Sequence, residues 1–156
     1  MPMPPTEPGT RVYHLEVFAD YRQVYLEDCA VHDARTRPPG SDSPAFDAIA
    51  FSEASAAWVD SVLSQEAHAR HLGVAQGTLC LLTARNFTVP MDLEIHPVPL
   101  PPPQPQDVAG WDHIVEANLD LPSGCLLVHG VLEEHGTIAV APGMYRARVS
   151  YGASPR

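Results

Sequence analysis

Strict alternation of apolar and polar positions runs through the second half of this chain. In TVPMDLEIH, Val89, Met91, Leu93 and Ile95 fall on one side, and Asp92, Glu94 and His96 on the other. WDHIVEANLDL repeats the pattern: Trp111, His113, Val115, Ala117, Leu119 and Leu121 alternate with Asp112, Ile114, Glu116, Asn118 and Asp120. MYRARVSY sets Tyr145, Ala147, Val149 and Tyr151 against Arg146, Arg148 and Ser150. Successive side chains of a strand point to opposite faces, so this period of two predicts strands with one buried face. RVYHLEVFA reads the same way through Tyr13, Leu15 and Val17. QVYLEDCAVH, TLCLLTAR, CLLVHGV and TIAVA complete a set of about eight strands. TLCLLTAR, a continuous apolar run, is expected near the centre of a sheet.

A different period appears once. Trp58, Val59, Val62, Leu63, Ala67 and Leu72 recur at helical spacing, which predicts one helix over about 52–72. Ser52 or Ser55 suits its start, and Gly73 its end. Short strands separated by turn residues such as Pro122-Ser123-Gly124, with no repeating βα unit, define the fold class. It is mainly β: an antiparallel two-sheet β-sandwich of about eight strands with one covering α-helix. Residues 1–10 carry four prolines and read as a flexible tail. Residues 11–152 form the single expected domain, with a proline-rich connector at 97–106.

Charge narrows the function classes. The net charge is −10, and all nine basic residues are arginine. So anionic a surface repels nucleic acid and anionic lipid and favours basic partners or metal cations. Residues 41–110 hold eight acids against two arginines, the most acidic part of the chain. Cys29, Cys80 and Cys125 are far apart in apolar runs, which predicts reduced, buried thiols in a cytoplasmic protein. No run of 18 apolar residues suggests a membrane span.

Three groups could carry chemistry. His113 and Glu116 are three residues apart, so on a strand they face opposite ways and cannot converge on one substrate. His113 is expected at the core or its rim. Glu116 joins Asp112, Asn118 and Asp120 on the outer face, across from Arg146 and Arg148 if the two strands are neighbours. Asp60, Ser64, His68 and His71 are spaced as a polar helix stripe, in which His68 and His71 could share a metal. Asp92, Glu94 and His96 point together from alternate positions, as ligands on a strand can. In both cases an ordinary solvated face is the expectation. GxSxG, GxGxxG, P-loop, EF-hand and HExxH patterns are absent.

Two resemblances add to this reading. GTLCLLTARNFTVPMDLEIH, WDHIVEANLDLPSGCLLVHG and IAVAPGMYRARVSYG, within residues 74–152, resemble core segments of small uncharacterised bacterial β-sandwich proteins. FADYRQVYLEDC, with Tyr21 and Gln23, is similar to the first hairpin of the competence protein J group, inhibitors of a DNA-entry nuclease. That likeness implies a protein-binding sandwich and no catalytic residues.

The expected function is therefore a non-enzymatic module of inhibitor or immunity type that binds a basic protein through an acidic sheet face. Asp92, Glu94, Asp112, Glu116 and Asp120 are its candidate binding residues, with Asp20, Glu27 and Asp28 as a second group. No cofactor is expected. The alternative is a metal- or small-ligand-binding sandwich, an enzyme among the options, with a divalent ion at Asp92, Glu94 and His96 or at His68 and His71. Pairing of an open strand edge with a second copy of the chain is a further expectation.

Overall fold

The computed structural model describes residues 9–83, 88–105 and 109–152. The described residues form nine strands and three α-helices: β1 (Arg11–Phe18), β2 (Gln23–Asp28), α1 (Cys29–Thr36), α2 (Ala48–Val62), α3 (Gln65–Arg70), β3 (Leu72–Ala75), β4 (Thr78–Leu82), β5 (Thr88–Ile95), β6 (His113–Leu121), β7 (Cys125–His129), β8 (Glu134–Ala139) and β9 (Gly143–Tyr151). The fold is mainly β and wholly antiparallel in its pairings, as expected.

One sheet has five strands in the order β3-β4-β2-β7-β8. The second layer, expected as one sheet, is two separate ribbons, β1-β5 and β6-β9. Alternation explains how they pack. Val24 and Leu26 of β2, Leu79 and Leu81 of β4, and Leu126 and Val128 of β7 share one core with Val17 of β1 and Val115, Ala117, Leu119 and Leu121 of β6. Tyr13, Leu15, Met91, Leu93, Tyr145 and Val149 pack against it from the ribbons. The opposite face of the five-stranded sheet meets the helices, where Tyr25, Cys80 and Leu82 cluster with Val62, Ala67 and Trp58. That double coverage is why β4 is buried throughout and apolar at every position after Thr78.

Three local readings are corrected. The single helix over 52–72 is two helices, broken at Leu63 and Ser64; the Ser64 side chain accepts from the Ala67 N–H and starts α3. Leu72 begins a strand in place of ending a helix. The strand expected to run on to residue 32 stops at Asp28, whose side chain accepts from the N–H groups of Ala30 and Val31 and caps α1. Trp111 lies just outside β6 and is 47% exposed, not part of the inward face. Residues 97–105 contain no strand, consistent with their prolines, and the Arg148 guanidinium donates to the Pro101 carbonyl at 2.7 Å. Most of the expected tail (1–8), residues 84–85 of the expected central strand, and connector position 106 lie outside the described residues.

Gly73 shows how closely the helical layer sits on the sheet. A Cβ there would lie 2.2 Å from the Val62 carbonyl oxygen and 2.9 Å from its Cγ1, where α2 ends over β3. Gly73→Ala is expected to cost roughly 1–3 kcal/mol in urea unfolding, because backbone must move to admit the methyl.

Candidate functional site

The charged centre of the molecule lies under α1. Tyr25 and Glu27 share the helix-facing side of β2, and Glu27 is fully buried. Its Oε1 accepts from His129 Nε2 at 2.9 Å, His32 Nδ1 at 2.8 Å and Arg35 Nη2 at 2.7 Å. Its Oε2 accepts from Thr78 Oγ1 at 2.7 Å and Arg35 Nε at 3.1 Å. β2, β4, β7 and α1 thus each supply one side of the same carboxylate. Burial pushes the Glu27 carboxyl up, but hydrogen bonds from His129, Arg35 and Thr78 outweigh it and hold the group at about 2. Arg35 also stacks over Trp58, 3.8 Å from the ring centroid, and Tyr25 stacks on His129 at 4.9 Å.

Glu27, His32 and His129 place three potential ligand atoms within 4.8 Å of one another. Arg35, however, sets a guanidinium against the same Oε1, so the chain itself supplies positive charge where a cation would sit. The sequence expectation counted Glu27 among surface acids, with Asp20 and Asp28. All three are buried. Asp28 caps α1 and accepts from the Ser123 N–H at 3.0 Å and hydroxyl at 2.7 Å. Asp20 accepts from the N–H groups of Val131 and Leu132 at 2.7 and 2.8 Å. Asp20 and Asp28 organise backbone, Glu27 holds side chains together, and all three are too buried to present charge to a partner.

The outer acids lie on the polar faces that alternation requires. On β5, Asp92 and Glu94 are exposed. Asp92 pairs with His14 of β1 at 2.6 Å, and Glu94 with His96 at 2.9 Å. Among the described residues Asp92, Glu94 and His96 do not bring three ligand atoms together. On β6, Glu116 lies opposite Arg148 and Asn118 opposite Arg146, the register the sequence suggested. Glu116 accepts from Arg146 at 3.2 Å and Arg148 at 3.0 Å. The Arg148 hydrogen bond, opposed by burial and aided by Arg146, holds its carboxyl below the ordinary range. Asp112 is exposed and Asp120 half-buried.

The helix stripe dissolves with the helix. His68 is on α3, its Nδ1 at 3.0 Å from the Ser64 carbonyl, whereas His71 ends α3 in a left-handed conformation. His71 packs edge-on against His113 at 5.0 Å, and Tyr151 donates to its carbonyl oxygen. His113 is half-buried at the core rim, as expected, with Nε2 at 2.7 Å from the Arg70 carbonyl.

The cysteines need the largest correction. Cys29 and Cys125 form a disulfide across 96 residues, joining the first residue of α1 to the first of β7. Only Cys80 among the described residues fits the expected buried thiol, and burial pushes it up to about 12. The expectation of a cytoplasmic location rested on unpaired thiols and loses that support. No helix among the described residues is long and apolar enough to cross a membrane.

These features define the class: an antiparallel β-sandwich with one helix-covered face and a charged network between the sheet and α1 around a fully buried carboxylate. No family model matches the sequence, and no curated protein does. The chain is similar in structure to ComJ from Bacillus subtilis, described as an inhibitor of the DNA-degrading activity of NucA. The TM-score is 0.56 over 89% of this chain and 81% of that one, at 11% identity. The resemblance to the competence protein J group therefore holds at the level of the fold.

Proposed function

We propose that this chain is a non-enzymatic, inhibitor-type module that binds a basic protein. The observation that carries the reading is the structural likeness to ComJ, whose described role is to inhibit a DNA-degrading protein. Charge agrees with it. An enzyme that grips DNA presents cationic surface to phosphates, and a chain of net charge −10 is attracted to such a surface. Asp92 and Glu94, exposed on the outer face of the β1-β5 ribbon, are the predicted acids best placed to steer that encounter. Glu116 is already held by two arginines and contributes less.

The test is affinity capture from cells of the source organism at low salt, followed by a plasmid-degradation assay on what is retained. The expected result is a basic protein released by raised salt, whose DNA-degrading activity falls as this chain is titrated to equivalence. Asp92→Asn with Glu94→Gln is expected to slow association with little change in dissociation. Retention indifferent to ionic strength, or a captured protein whose activity is untouched, would overturn the reading.

A further inference from the structure

Two loops tied together at one end of the sandwich each expose large apolar side chains. Phe18 ends β1, Tyr21 follows in a short 3-10 turn, and Val131 and Leu132 lie between β7 and β8. They are 42%, 63%, 44% and 75% exposed. Other exposed apolar residues, such as Ile49, Val98 and Met144, stand on separate elements, which is ordinary for a protein surface.

The backbone beneath this tip is tightly specified. Buried Asp20 binds the N–H groups of Val131 and Leu132 and so ties one loop to the other. Gly130 is needed for that approach: a Cβ there would lie 2.4 Å from Asp20 Oδ1 and 3.0 Å from the Phe18 carbonyl. The Gly130 N–H bonds the Glu133 carbonyl at 2.7 Å, and Thr83 N–H bonds the Arg22 carbonyl at 2.9 Å. Tyr21 and Arg22 are held at φ 55° and 64°, a region that costs a bulky residue energy and persists only where the surroundings impose it. The result is an exposed aromatic ring on a rigid platform, which loses little freedom on contact.

Charge around the tip selects its occupant. Glu16 stands two residues before Phe18 on the outer face of β1, and Glu133 and Glu134 follow Leu132; all three are exposed. Arg22 is the opposing cation in these loops. A second copy of the chain would bring the two sets of carboxylates together, which disfavours self-association. We infer that the Phe18, Tyr21, Val131 and Leu132 tip is the apolar anchor of the interface, seated in an apolar depression on a basic protein and framed by that partner's cations. The inference rests on the protein-binding reading and adds where the contact is made.

A benzophenone side chain placed at position 132 of the full chain, with controls at 92 and 118, tests it by photo-cross-linking in the source cells. The expected result is an adduct from position 132 with a protein of net positive charge. Tyr21→Ser with Leu132→Ser is expected to weaken that partner's affinity roughly 30-fold or more, the loss of two central anchors. Because both side chains are exposed, the variant's unfolding midpoint should stay at the wild-type value. Adducts only from 92 or 118 would overturn the tip while leaving a protein-binding function standing. An adduct with a second copy or with an acidic protein, or full affinity in the double variant, would also overturn it. No adduct from any position would sink both readings.

Discussion

Glu27→Gln is expected to lower unfolding free energy by about 3–5 kcal/mol, the cost of removing one partner from a buried ion pair. The glutamine would keep the volume but turn an amide group toward Arg35, His32 and His129, which all converge on the carboxylate. Urea titration followed by tryptophan fluorescence reads the change, since Trp58 stacks on Arg35. Replacing the pair together, as Glu27→Leu with Arg35→Met, should recover only part of the loss, because no charge is stranded but Thr78, His32 and His129 lose their partner. A single variant as stable as wild type would mean that the network contributes nothing. The pH dependence has a definite sign. The carboxyl lies at about 2 in the fold against an ordinary 4.5, so its contribution is complete above 4.5. It is lost as pH falls from that value through 2, because over that window the unfolded chain takes up a proton that the folded state excludes.

Opening the Cys29–Cys125 disulfide is expected to cost about 4.7 kcal/mol. A cross-link spanning 96 residues removes a large share of the unfolded chain's freedom, and loops near 100 residues give close to that figure in the entropy treatment. The urea midpoint should fall when reductant is added. The Cys29→Ser, Cys125→Ser variant should start at the lowered midpoint and ignore reductant. Cys80, fully buried in the helix-facing cluster, leaves this comparison clean. An unchanged midpoint on reduction would show that α1 is held to β7 by other means. Asp28, which binds Ser123 while capping α1, is the group that would do so.

Local periodicity made much of this legible. The alternation in β5, β6 and β9 assigned faces correctly, and it put Arg146 and Arg148 across from Glu116 and Asn118 once the two strands are neighbours, as they are. His113 fell at the rim for the same reason. Errors arose where a polar residue serves backbone. Asp28 and Ser64 are each the N-cap of a helix; periodicity alone reads Asp28 inside an apolar strand and Ser64 inside the polar stripe of a longer helix. Asp28 before CAVHDAR is a readable start signal, and Ser64 with Glu66 behind it is another. The centre was beyond reach for a different reason. Glu27 meets His32 five residues on, but Thr78 is 51 residues away and His129 is 102. No spacing rule spans such distances, and the same holds for the two bonded cysteines. An acid inside an apolar strand was the available clue, since a buried carboxylate requires partners.

The position of β2 has a consequence for how the molecule is made. It lies at the middle of the five-stranded sheet, between β4 and β7, yet it is synthesised before both. On the ribosome, one flank of β2 can zip to residues 78–82 early, while the other stays open until 125–129 emerge. During that interval an edge carrying Tyr25 and Glu27 is bare, so slow, non-local closure and a need for shielding from other nascent chains come with this strand order.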